Sequence, residues 1–220
     1  MKRAVIFEVD GTLLDTERLY MVGWREAGKL LGHPVAEEAL ARTRGINSRE
    51  VAVATFLEFC GADFPFEEVR KQRVRIAEEI IEASTPEQLL RPGAREALTV
   101  LREKGYLLAV ATSTGKARTL EHMGKAQLLD YFDAMVTGDM VKNSKPAPDI
   151  FLMAAEHLGV PPEECVVVGD TPADVFAGFA AGMDVYLIPD QVPANPETRA
   201  KSRRVLESLE QFLTALEEDT

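Results

Sequence analysis

Five short runs rich in valine, isoleucine, leucine and alanine punctuate the chain at residues 4–9, 107–111, 134–136, 165–168 and 185–188, and helical spacing follows each. No other feature constrains the fold as tightly. A strand apolar on both faces has to be covered on both faces, and a parallel neighbour needs a crossover connection, which the helical segments supply. The expected class is α/β, a doubly wound parallel sheet. Helix ends are legible as well. Residues 93–104 close on a basic turn and Gly105, residues 149–158 stop at Gly159, and Ser208 followed by Gln211 opens a last amphipathic helix with Leu209, Phe212, Leu213 and Leu216 inward.

One stretch breaks the alternation. From Glu17 to Leu90 no strand pattern occurs, only helical spacing in Leu19, Val22, Ala27 and Leu30, in Val51, Phe56 and Phe59, and in Val69, Val74, Ala77 and Ile81. Such a run between the first two strands reads as an inserted α-helical domain. Asp15-Thr16 marks the exit from the sheet domain and Pro92-Gly93 the return. The expected organisation is a core of residues 1–15 and 91–220 with a helical insertion at 16–90.

Composition removes several classes of function. With 25 Lys plus Arg against 36 Asp plus Glu, a formal charge of −11 repels polyanions, so no nucleic-acid partner is expected. The apolar runs are too short to cross a bilayer and the N-terminus lacks a signal-peptide pattern, which points to a cytoplasmic protein with no membrane partner. Cys60 and Cys165 lie far apart in no metal-ligand spacing and read as reduced thiols.

The chemistry-bearing residues fall at the strand ends. The first strand runs out in Phe7-Glu8-Val9-Asp10-Gly11-Thr12, so two carboxylates spaced by two point to one side of the edge where open α/β sheets bind ligands. Gly11 and Thr12 then turn the chain so that backbone N–H groups can face an anion. The second strand gives way to Thr112-Ser113-Thr114-Gly115-Lys116, where hydroxyls and N–H groups at a helix start suit a phosphate oxygen, or simply cap the helix. Beyond the third strand, Pro146 and Pro148 restrict the backbone around Lys145, whose ammonium can neutralise a phosphoryl group or a carboxylate cluster. The fourth strand ends in Gly169-Asp170-Thr171-Pro172-Ala173-Asp174, two acids able to face a hard cation such as Mg2+, with Asp170 or Thr171 as a helix cap the competing reading.

Taken in order, FEVDGTLLD, ATST, KPAPDIF and GDTPAD resemble the signatures of the haloacid dehalogenase superfamily, over nearly the whole chain. The helical insertion is similar to that of the subgroup containing β-phosphoglucomutase and phosphoglycolate phosphatase. The resemblance implies a Rossmann-like core with a four-helix cap, and Mg2+-dependent hydrolysis of a small phosphate monoester, such as a sugar phosphate, through a phospho-enzyme. It implies catalytic roles for positions 8, 10, 112 and 145: Glu8 at the nucleophile position, Asp10 as general acid and base, Thr112 holding a phosphoryl oxygen, and Lys145 steadying nucleophile and phosphate. Gly11, Thr112, Ser113 and Lys145 would bind phosphate, and Glu8, Asp10, Asp170 and Asp174 would hold the metal. Position 8 departs from the family pattern, which has aspartate there. The extra methylene moves the carboxylate by roughly a bond length, and a misplacement of about 1 Å can cost on the order of 100-fold in rate.

The insertion offers candidates for the substrate pocket in Tyr20, Trp24 and, within Gly45-Ile46-Asn47-Ser48-Arg49-Glu50, Arg49. Tyr20 and Trp24, one helical turn apart, also suit internal packing. Tyr20 stands where mutases of this subgroup carry a histidine, and GDTPAD looks more like the phosphatases. The resemblance therefore favours a phosphatase acting on a small phosphorylated metabolite, as a monomer or weak homodimer. The alternatives are a phosphohexomutase and a non-catalytic protein that binds a phosphate ligand.

Overall fold

The computed structural model describes residues 2–44 and 48–219. In chain order, β1 (Ala4–Phe7) is followed by the helices α1 (Thr16–Leu30), α2 (Glu37–Thr43), α3 (Arg49–Cys60) and α4 (Phe66–Ala83). A short α5 (Pro86–Leu89) and α6 (Ala94–Glu103) lead to β2 (Leu107–Thr112), α7 (Lys116–Lys125), β3 (Ala134–Thr137) and α8 (Asp149–Leu158). The chain ends with β4 (Cys165–Gly169), α9 (Pro172–Ala180), β5 (Asp184–Leu187), α10 (Pro196–Lys201), β6 (Arg204–Val205) and α11 (Leu209–Glu218).

By compactness the chain divides into Met1–Asp15 with Thr85–Thr220, and Thr16–Ser84. Residues 85–90, read from the sequence as part of the insertion, fall with the sheet unit. The reason is local: Leu14 bridges Leu90, Asp15 N–H donates to Leu89 O at 2.8 Å, and Arg91 N–H donates to Leu13 O at 2.9 Å. The segments that leave and re-enter the sheet unit are thus pinned side by side.

All strand pairs are parallel, in the order β3-β2-β1-β4-β5-β6. The chain goes one way from β1 to β2 and β3 and the other way to β4, β5 and β6, so the topological switch lies at the carboxyl ends of β1, β2 and β4. Each half of the core follows from strand alternation. Ala4 and Ile6 of β1 pack with Ile150, Phe151 and Ala154 of α8 on one face, while Phe7 meets Phe212 of α11 edge-on at 6.1 Å on the other. β6, only two residues long, has no pattern that a sequence reading can find. At α11, Ser208 accepts the Gln211 N–H as expected, and Ala215 takes the buried place expected of Leu213.

The second unit holds α1 to α4 around an aromatic cluster: Trp24 lies 4.5 Å from Phe56 and 5.6 Å from Phe66, and Phe56 lies 5.1 Å from Phe66. Leu30 and Val51, part of the helical spacing, are exposed in the last turn of α1 and the first turn of α3. Among the described residues, no helix is long and apolar enough to cross a membrane.

Candidate active site

The site is built where β1, β2 and β4 end. Its centre is Lys145, buried to 5% exposure, whose ammonium donates to the Asp174 carboxylate at 2.7 Å, to the Ala111 carbonyl at 2.9 Å and to the Glu8 carboxylate. A fourth neighbour, the ring of Phe151, lies 4.7 Å from the nitrogen. Burial by itself would favour neutral lysine, but the charges of Asp174 and Glu8 outweigh it and hold Lys145 above its ordinary pKa. The lysine is therefore a fixed cation at neutral pH. Burial raises the Glu8 pKa, with Lys145 opposing and the charges of Asp174 and Asp10 adding to it.

Each expected residue has a definite place. The other Glu8 oxygen, Oε1, accepts the N–H of the adjacent Val9 at 2.8 Å, a contact that the longer side chain allows by folding back on its own backbone. Asp10 accepts the hydroxyl of Thr114 at 2.6 Å. Thr112 is fully buried at the end of β2, and its Oγ1 accepts the Thr114 N–H at 3.2 Å. Ser113 is exposed on the same loop. Asp170 is buried, with Oδ1 taking the Thr12 hydroxyl at 3.0 Å. Burial and the charges of Asp174 and Glu8 drive its pKa well above the ordinary carboxylate range, against the Thr12 hydrogen bond.

Three expectations change. Gly11 was read as offering its amide to an anion, yet that N–H donates to Leu14 O at 2.8 Å, and the Thr12 N–H is directed to Val9 O. Gly11 serves by conformation: its φ is +81°, and a Cβ there would lie 2.4 Å from Asp170 Oδ2. Asp174, expected among the metal-side acids, has a protein partner on each carboxylate oxygen. Oδ1 takes Lys145, and Oδ2 takes the N–H and the hydroxyl of Thr171 in the capping box that starts α9. Thirdly, the four-carboxylate metal set is not assembled: among the described residues no group of three or more His, Cys, Asp or Glu side chains is arranged to hold a metal ion. The donor chemistry still suits a hard cation, because the groups are all oxygen donors and three of the four acids are buried.

The candidates in the helical unit do not behave alike. Tyr20 is 7% exposed, donates to Glu78 at 2.7 Å and lies under the Arg73 guanidinium at 4.7 Å, while Trp24 packs in the aromatic cluster. Arg49 is exposed, donates to Glu67 from Nε at 2.9 Å and Nη2 at 2.6 Å, and lines an open concavity of about 680 Å³ with Ser48, Glu50, Val53, Ala54 and Leu57. The Gly45-Ile46-Asn47 part of its motif lies outside the described residues. Thr12 and Thr114 were not singled out as site residues. Their partners are far away in the chain, so only the strand topology shows them.

A parallel sheet whose switch point gathers a cationic lysine, buried acids and hydroxyls defines a phosphoryl-handling α/β enzyme site. The chain belongs to the haloacid dehalogenase-like hydrolase family, whose model matches residues 5–188. It is 37% identical to the phosphorylated carbohydrates phosphatase of Thermotoga maritima over 82% of each chain. It is 32% identical to the beta-phosphoglucomutase of Bacillus subtilis over 82% of this chain and 80% of that one. Among solved structures it is similar to CbbY from Rhodobacter sphaeroides in complex with phosphate, with TM-score 0.76 and 26% identity over 99% of this chain and 100% of that one.

Proposed function

We propose that this chain is built to hydrolyse phosphate monoesters of small metabolites, sugar phosphates among them, by transfer of the phosphoryl group to the carboxylate at position 8. The observation that carries the reading is the convergence of Glu8 and Asp174 on one buried lysine, with Asp10 and Asp170 in electrostatic reach of Glu8 and Thr112 next to the Ala111 carbonyl that the lysine binds. Lys145 holds the position 8 carboxylate and balances the charge of an incoming phosphoryl group, while Thr112 offers its hydroxyl to a phosphoryl oxygen. Asp174 anchors Lys145, and Thr171 fixes Asp174 in turn.

Asp10 is the proton-transfer group. Of the four acids it alone is partly exposed, which a group exchanging protons with substrate and water requires. It gives its proton to the ester oxygen as the P–O bond breaks, and takes one from the water that attacks the phosphorylated carboxylate. Asp170, the position 8 carboxylate and the backbone carbonyl of Asp10 would hold Mg2+, with waters completing its shell as that ion prefers. When bound, it supplies positive charge between anionic nucleophile and anionic phosphate.

The test is a phosphate-release screen over sugar phosphates, phosphoglycolate and nucleotides, run with Mg2+ and with EDTA on the chain and on its Glu8→Asp variant. Release from sugar phosphates by the variant, abolished by EDTA, is the expected result. A second reading is favoured by the similarity to a beta-phosphoglucomutase. Interconversion of hexose 1- and 6-phosphates without net release would establish it, whereas Mg2+-dependent binding with no turnover in either form would mark a non-catalytic ligand-binding protein.

A further inference from the structure

We infer that the ion pair of Arg91 and Asp190 sets the Mg2+ affinity of the acid site: Arg91 cancels the charge that Asp190 would otherwise add beside Asp170. The inference rests on the metal reading above and deepens it, because neither residue is among the groups assigned to the ion. Three segments bring the pair there. The turn after β1 sets Gly11 and Thr12 against the Asp170 carboxylate, with the Thr12 hydroxyl 3.0 Å from Oδ1. Arg91 is pinned to that same turn by its N–H, which donates to Leu13 O at 2.9 Å. From the other side, the Ile188 N–H donates to Gly169 O at 2.9 Å, so the chain leaving β5 toward Asp190 starts alongside the residue that precedes Asp170.

The pair is sheltered. Arg91 Nη1 donates to Asp190 Oδ1 at 2.9 Å and lies 4.0 Å from the Asp15 carboxylate, and Gln191 Nε2 donates to Asp190 Oδ2 at 3.0 Å. The Asp190 side chain is 8% exposed and that of Arg91 22%, so salt screens them poorly. Charges in such a setting act at a distance, and Asp190 does act on Asp170: after burial and the charges of Asp174 and Glu8, its charge is a further cause that raises the Asp170 pKa. With Arg91 in place, Asp15, Arg91 and Asp190 together carry one negative charge. Loss of the arginine doubles that charge, and loss of the Asp190 charge abolishes it. A divalent cation held by Asp170 feels each change with the sign of the charge left behind.

Isothermal titration of Mg2+ into the full-length chain, at neutral pH and fixed ionic strength, tests this by comparing the parent with Arg91→Met, Asp190→Asn and the double variant. Arg91→Met is expected to tighten Mg2+ binding by about three- to tenfold and Asp190→Asn to weaken it by a similar factor, while the double variant, which restores the parental charge, returns close to the parental Kd. Arg91→Lys keeps the cation and is expected to bind as the parent does. A purely structural clamp would move both single variants the same way, so shifts of one sign, or no shift in either, would overturn the inference. Where thermal unfolding shows that Arg91→Met does not fold, Asp190→Asn decides: weaker binding supports the inference, and unchanged or tighter binding overturns it. A parent chain with no saturable Mg2+ binding rejects the metal reading itself, and this inference with it.

Discussion

Shortening Glu8 to aspartate is expected to raise phosphate monoester hydrolysis by about 100-fold or more. Glu8 keeps the carboxylate and the contact with Lys145, but its oxygens are both committed, one to the lysine and one to the adjacent Val9 N–H. In-line attack needs the attacking oxygen within a near-attack distance of phosphorus, and one extra methylene displaces it by about a bond length. Aspartate is too short to fold back on Val9 in the same way, which frees one carboxylate oxygen. Steady-state kinetics with one sugar phosphate on the two proteins checks the difference, and equal rates would mean that position 8 is not the phosphoryl acceptor.

Lys145→Met is expected to act on stability and on rate together. The ammonium is the shared partner of two buried carboxylates and of the Ala111 carbonyl, so its loss leaves Glu8 and Asp174 facing each other without a cation. Removing one member of a buried ion pair costs about 3–5 kcal/mol, most of it from the charge left behind. Denaturant unfolding in EDTA measures that loss. In the Glu8→Asp background the same change is expected to reduce kcat by about 100- to 1,000-fold, the range for a fixed electrostatic group at a developing charge. Arginine is a poor substitute, because its planar fork does not fit three acceptors and the face of Phe151 around one nitrogen.

What could be read from the sequence, and what could not, divides along range. The strands β1, β2, β3, β4 and β5 announce themselves because each is a run apolar on both faces, and the residues at their tips were found because strand ends are local features. Glu8, Asp10, Thr112 and Asp170 lie at or just beyond the ends of β1, β2 and β4, whereas Lys145 reaches them from the loop after β3. The finer assignments depended on partners that spacing does not reveal. Spacing shows Asp174 as an acid near the strand tip but not that its oxygens meet Lys145 and Thr171. Gly11 looks like an anion nest until Leu14 takes its amide, and Thr12 reaches Asp170 across 158 residues of chain. Helical spacing in Leu30 and Val51 identified helices correctly but not which turns are covered, since burial depends on the neighbouring element.

The proposed phosphoryl transfer depends on position 8 as the residue that carries the phosphoryl group. Rapid quench of the Glu8→Asp chain during turnover of a sugar phosphate, followed by peptide mass spectrometry, reads this directly. An acid-stable, base-labile phosphoryl group on the peptide containing residue 8, absent after Lys145→Met, is the predicted result. Full turnover with that peptide unmodified, or with the phosphoryl group on another residue, would contradict it.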